Sequence, residues 1–156
     1  MQPIAQAAAA FLANKRVAVT GVSRKSRDHG ANYVYKRLKE RGYDVFAVNP
    51  NATQVEGDAC YHDLASIPGG IGAVMIGTRP EISEQTMREC ADLGIRHVWM
   101  HYGAGDSSVS AAATAYGRER GITVINGGCP LMFDPVADFS HKLMKRMYAR
   151  RVPVEV

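Results

Sequence analysis

One short stretch gathers groups that bind anions. The run Gly21-Val22-Ser23-Arg24-Lys25-Ser26-Arg27 places Arg24, Lys25 and Arg27 within four residues, beside two hydroxyls and a glycine. Glycine lets backbone approach a ligand closely. Backbone N–H groups, hydroxyls and cationic side chains together suit phosphate. The chemistry this predicts is binding of a phosphate-rich nucleotide. A solvated basic surface loop has the same composition, so position in the fold must separate the two. The run is not GxGxxG, because the next glycine after Gly21 is Gly30. It is not a Walker loop either, since GxxxxGK[ST] does not occur.

Nucleophiles are the second kind of candidate. Cys60, Cys90 and Cys129 are odd in number, far apart and without a CxxC pair. That usage argues for a reducing cytoplasm rather than a disulfide framework. Cys129 and His101 both follow apolar runs and are conceivable as a Cys–His nucleophile pair. The simpler reading is preferred: Cys129 packs as a small apolar residue and His101 caps a loop. His97 and His101 span a strand and the following loop, which disfavours zinc. No residue stands out as catalytic.

The elements that must position these groups alternate. Apolar, β-branched runs at Arg16–Thr20, Asp44–Val48, Gly72–Ile76, Ile95–Met100 and Ile122–Ile125 read as five strands. Helical spacing predicts helices at Pro3–Ala13, Asn32–Arg41, Glu81–Leu93 and Ser107–Arg120, with Asp106 in the N-cap region of the last. Asn51–Gly57 reads as a loop and His62–Ile67 as a short helical turn. A final helix is predicted from Asp134-Pro135 to about Tyr148, with a stripe of Val136, Phe139, Leu143 and Met147. Its basic residues, Lys142, Lys145, Arg146, Arg150 and Arg151, read as a solvated face or, more sharply, as an oligomer contact. Trp99 and Phe46 lie in strands and read as core. Tyr33 and Tyr35 are two apart on one helix, so only one can face the sheet.

Strands that are apolar on both faces and alternate with helices mean a parallel sheet covered on both sides. The fold class expected is α/β: a Rossmann-like open parallel sheet of five strands, helices on both faces and an additional C-terminal helix. The 156 residues fit one unit, with a core at 14–130 and the extra helix at 134–148. At 46% hydrophobic and 22% charged, the composition excludes disordered and collagen-like classes. The net charge of +4 (19 Lys and Arg against 15 Asp and Glu) is too weak to demand nucleic acid, but it suits a small anion. No apolar window approaches the length of about 18 residues that a membrane helix needs. No signal peptide is expected, because Met1–Ala13 lacks a basic opening.

In open α/β sheets, ligands sit beyond the carboxyl ends of the strands. The basic loop then follows the first strand, where phosphate belongs. The second strand ends at Asn49, where a NAD-binding domain places an acid for the ribose hydroxyls. A differently docked nucleotide is therefore favoured over NAD.

At this point the motifs resemble a family. GVS at 21–23, GYDVFAVNPN at 42–51, the spaced Gly57, Tyr61 and Leu64, IP at 67–68, TRPE at 78–81, VWMHYG at 98–103 and GGCP at 127–130 carry the likeness. From about Lys15 to Pro130 the chain resembles the small stand-alone CoA-binding domain proteins. These are similar to the CoA-binding domain of the succinyl-CoA synthetase α subunit. The resemblance implies a Rossmann-like fold that binds coenzyme A or an acyl-CoA. It implies Gly21 and Ser23, with Val22 between them, at the pyrophosphate. The charges of Arg24, Lys25 and Arg27 are compatible with this, since they could neutralise the phosphates of CoA in part. The resemblance implies Val48, Asn49 and Pro50 at the adenosine end. Thr78, Arg79 and Pro80 would line the groove, and His101 and Gly103 would lie beyond the fourth strand.

Catalysis by an acyl-CoA synthetase would need a nucleotide-grasp domain and a phosphorylated histidine. The chain lacks room for the first, and His29, His62, His97, His101 and His141 show no clear match to the second. The function expected is a CoA-binding sensor, carrier or regulator without catalysis of its own. Alternatives are a NADP-type oxidoreductase and a ligase-like subunit that requires a partner chain. A mixed disulfide between Cys129 and the CoA thiol is a further option. Expected partners are the small-molecule ligand, a second copy of the chain or a partner enzyme, with no nucleic acid and no membrane.

Overall fold

The computed structural model describes residues 1–25 and 30–156. In chain order its elements are α1 (Ile4–Leu12), β1 (Arg16–Thr20), α2 (Gly30–Glu40), β2 (Asp44–Val48), β3 (Gln54–Val55) and β4 (Asp58–Tyr61). Then follow β5 (Ala73–Ile76), α3 (Pro80–Asp92), β6 (His97–Met100), α4 (Ala111–Glu119), β7 (Thr123–Asn126) and α5 (Phe139–Met147).

The strands form one sheet in the order β3-β4-β2-β1-β5-β6-β7, parallel except for the β3–β4 pair. The α/β, Rossmann-like expectation holds, with seven strands instead of five. The two additions replace the expected 51–57 loop and take the chain up to Tyr61. Glu56 and Gly57 both have positive φ, 52° and 80°, and turn the chain tightly between β3 and β4. Only Val55 is deeply buried in this hairpin, so the pair carries little of the apolar patterning that marks the other strands.

Side chains alternate across a strand, and the two faces of the sheet build two cores. Val17, Val19, Met75, Trp99 and Ile125 face α1 and α2. Ala18, Val74, Ile76, Val98, Met100 and Val124 face α3 and α4. Trp99 is fully buried, as expected. Its ring meets Phe11 of α1 edge-on at 5.3 Å, and its Nε1–H donates to the Gly127 carbonyl at 2.8 Å. Phe46 is only half-buried, under the Arg16 guanidinium at 4.6 Å. Tyr35 turns inward on α2 and donates to Asp58 Oδ2 at 2.7 Å, while Tyr33 turns out.

The starts of α4 and α5 lie well beyond those expected from the sequence, whereas the other helices start within about two residues of expectation. α4 begins at Ala111, because Ser110 caps it by accepting from the Ala113 N–H at 3.1 Å. Asp106 plays no capping part, and the Ser108 N–H is drawn back to the His101 carbonyl at 2.8 Å. α5 begins at Phe139 rather than 134. Residues Pro130–Met132 form a 3-10 turn, and Asp138 caps α5 by accepting from the His141 N–H at 2.8 Å. The expected stripe therefore divides. Val136 is buried, whereas Phe139 is 85% and Met147 67% exposed.

Candidate functional site

The chain runs from β1 to one side, through β2 and β4, and then returns to place β5 on the other side of β1. That reversal puts a crevice at the carboxyl ends of β1 and β5. Gly21 and Gly77 close it. Gly21 has φ +77°, and a Cβ there would lie 2.5 Å from the Gly77 carbonyl oxygen. No L side chain fits that approach.

Two asparagines hold the first loop. Asn32, on α2 and fully buried, accepts from the Ser23 N–H at 2.7 Å and donates to the Ser23 carbonyl at 2.7 Å. Its Nδ2 also donates to Glu56 Oε1 at 2.8 Å. Asn49 donates to the Val22 carbonyl at 2.9 Å and accepts from the Asn51 N–H at 2.8 Å. Asn32 was not among the expected site residues. Its helical spacing to Tyr35 and Leu38 was the available signal, because all three lie on the buried face.

These bonds also revise the expected phosphate contacts. The Ser23 N–H is spent on Asn32, and the Lys25 N–H on Ser23 Oγ at 3.1 Å. The Ser23 hydroxyl proton and the exposed Arg24 and Lys25 side chains are the groups presented outward. Arg27 lies outside the described residues. Arg24 shares a cleft of about 360 Å³ with the 50–54 turn and His62. Pro50 is in that cleft. Val48 ends β2 and is buried, outside the lining of that cleft.

The remaining expected residues sit further along the same edge. Thr78 follows β5, and its Oγ1 is buried without a hydrogen-bond partner. Arg79 is exposed and precedes Pro80, the first residue of α3. His101 follows β6 and abuts Gly30, where a Cβ would lie 3.0 Å from its ring. Burial, with His141 adding to it, pushes the His101 pKa down to about 4, so the ring is neutral at pH 7. Gly103 is buried beside it. His141 is held by Asp138 at 2.8 Å and stacks on Tyr33 at 5.4 Å.

Cys129 is buried at the other end of this segment, and burial pushes its thiol up to about 12. Burial disfavours its thiolate, and among the described residues no hydrogen bond joins Cys129 to His101. His97 lies at the opposite, amino end of β6. Among the described residues, no group of His, Cys, Asp and Glu side chains could hold a metal ion. Among them, too, no helix is long and apolar enough to cross a membrane.

Residues 15–135 match the family model described as a CoA binding domain. The chain belongs to that family. The chain is similar to acetate–CoA ligase [ADP-forming] II of Archaeoglobus fulgidus, with 36% identity over 84 residues. That match covers 53% of this chain and 12% of the ligase, so the chain corresponds to a small part of that protein. The uncharacterized protein YneT of Bacillus subtilis is 28% identical over 116 residues, covering 74% of this chain and 82% of its own. Among solved structures, a hypothetical protein from Pyrococcus horikoshii superposes with a TM-score of 0.70 at 29% identity, over 80% of this chain and 87% of that one. The dinucleotide-forming acetyl-coenzyme A synthetase 1 of Ca. Korarchaeum cryptofilum shares the fold at 16% identity, with a TM-score of 0.59 over 71% of this chain and 25% of that one.

Proposed function

We propose that the chain binds coenzyme A or an acyl-CoA along the carboxyl ends of β2, β1, β5 and β6, as a sensor, carrier or regulator without catalysis of its own. The observation that carries this reading is the first loop itself. Asn32 and Asn49 pin its backbone at the strand-order reversal, so that Arg24 faces the cleft made with the 50–54 turn. Family membership supplies the ligand class. A pyrophosphate and a 3′-phosphate are anions that Arg24, Lys25 and Arg27 can neutralise. The unpartnered Thr78 Oγ1 and the glycine-lined crevice fit a ligand arm that passes close to backbone. In this reading residues 1–156 are one binding unit, and the free thiols of Cys60, Cys90 and Cys129 suit a reducing cytoplasm.

The likeness to the Archaeoglobus ligase favours a second reading, a ligase-like subunit that works with a partner chain. The NADP alternative has less support. The residue after β2 is Asn49, and its amide is engaged with Val22 and Asn51 instead of facing a ribose. Calorimetry with CoA, acetyl-CoA, NAD, NADP and ATP separates these. CoA or acetyl-CoA binding is the expected result, and NADP binding without CoA binding would sink the proposal.

A further inference from the structure

The β3–β4 hairpin turns on a residue that does not suit its place. Val55 pairs with Asp58, so Glu56 and Gly57 form a two-residue turn with positive φ at both positions. Such turns favour Asn-Gly, because a Cβ is strained in the left-handed region unless the side chain is short and polar. Among the described residues, Glu56 alone of the non-glycines has positive φ. Strain of this kind persists where the surroundings hold the residue in place, and it gathers at functional sites.

What holds Glu56 is the clamp on the first loop. Its side chain is 15% exposed, and Oε2 lies 3.8 Å from Lys36 Nζ. Oε1 accepts from Asn32 Nδ2 at 2.8 Å. An asparagine amide nitrogen has two protons. In Asn32 these serve Glu56 and the Ser23 carbonyl, while Oδ1 takes the Ser23 N–H. A flipped amide would set Oδ1 against the Glu56 carboxylate and the Ser23 carbonyl, and Nδ2 against the Ser23 N–H. The carboxylate therefore fixes which way the Asn32 amide points, and with it the grip on Ser23. The hairpin also carries one wall of the nucleotide cleft, which runs between Arg24 and the 50–54 turn, and Gln54 opens β3. Asn49 joins the two walls at one point, through the Val22 carbonyl at 2.9 Å. The chain Ser23–Asn32–Glu56 joins them at a second, and Arg24 is the next residue along.

We propose that Glu56 is a positioning residue of this cleft: through Asn32 it sets how far Arg24 stands from the 50–54 wall, and so how well the cleft fits nucleotide phosphates. It acts without touching the ligand. The inference rests on the CoA reading for its ligand, and on the hydrogen bonds from Glu56 to Ser23 for its geometry.

Two variants of the full chain separate positioning from support of the fold. Glu56→Gly relaxes the turn but removes the acceptor. Glu56→Gln keeps an acceptor oxygen in reach of Asn32 Nδ2. Hydrogen exchange at the Ser23 amide, read by NMR without ligand, reports the clamp. It should quicken about 10-fold in Glu56→Gly, the worth of one hydrogen bond, and stay within about 2-fold of wild type in Glu56→Gln. Calorimetry should show CoA bound about 5- to 10-fold more weakly by Glu56→Gly, and within about 2-fold of wild type by Glu56→Gln. The urea midpoint of Glu56→Gly should hold, since relief of the turn offsets the lost contact. A residue that only supports the fold would move midpoint and affinity together. Unchanged Ser23 exchange in Glu56→Gly overturns the proposal, and so does unchanged CoA affinity. Equal losses in the two variants also overturn it, because charge and not the grip on Asn32 would then matter. If the wild-type chain binds no CoA, the nucleotide reading fails, and Ser23 exchange still decides whether Glu56 sets the loop.

Discussion

Asn32 grips Ser23 by both backbone groups, accepting from its N–H and donating to its carbonyl, each at 2.7 Å. The amide is fully buried, so the bonds have no water to replace them. Asn32→Ala leaves the Ser23 groups and Glu56 without this partner. Each unsatisfied buried group costs about 1–3 kcal/mol, and a loss of about 2–4 kcal/mol in unfolding free energy is expected for the set. Urea denaturation measures it. Because the loop is then untied, CoA affinity should fall too. Unchanged affinity in the folded variant would show that the clamp does not shape the site.

The first two strands and their loops were legible in the sequence for a physical reason. Val17, Val19 and Ala47 sit in a sheet covered on both faces, so their runs are apolar throughout and stand out. The β3–β4 hairpin was not legible, since a two-residue strand with one deeply buried side chain gives no periodicity. Asn32 was missed for a different reason. A polar residue on a helix reads as surface; its spacing to Tyr35 and Leu38 marks the buried face, but what it bonds there is decided by the loop nine residues earlier. The stripe on α5 was legible as a helix face but not in its direction, because the 130–138 turn decides which side meets the protein.

Variants at Arg24 and Lys25 test whether these side chains meet the 3′-phosphate or the pyrophosphate of the proposed ligand. Arg24 lines the cleft with Pro50 and His62, and Lys25 is exposed beside it. The double variant Arg24→Ala, Lys25→Ala should weaken CoA by about 10-fold or more, and dephospho-CoA by less. The loss should shrink at high salt, since exposed charges are screened. Equal losses for the two ligands would reject contact with the 3′-phosphate.

Cys129 should be chemically silent in the folded chain. Its thiol is buried and pushed up to about 12, and burial raises Cys90 as well. Cys60 is also raised by burial but is the more exposed. Iodoacetamide near pH 8 should therefore modify Cys60 first, and Cys129 only after denaturant is added. Peptide mass spectrometry reads the order. A CoA disulfide found on Cys129 in native protein would contradict the buried geometry.

His101 should make the fold sensitive to mild acid. Its pKa is about 4 in the folded chain, below the ordinary histidine value of about 6.5 expected after unfolding. Between those values the unfolded chain binds the proton and the folded chain does not. Stability therefore falls as pH drops from about 6.5 towards 4, by at most about 1.4 kcal/mol per pH unit for this group. His97, lowered by burial, acts in the same direction. Asp138 acts below that window. Its carboxyl is held under the usual range by hydrogen bonds from His141 and Ser140, against the opposing effect of burial, so its contribution is lost only below about pH 3.9. His101→Gln removes the titrating ring and keeps a polar side chain of similar reach. Urea midpoints at pH 7.5, 6.0 and 5.0 should fall less steeply in that variant, with the residual slope belonging to His97. Parallel slopes in the two proteins would mean that the ring beside Gly30 is protonated as readily in the folded chain as in the unfolded one.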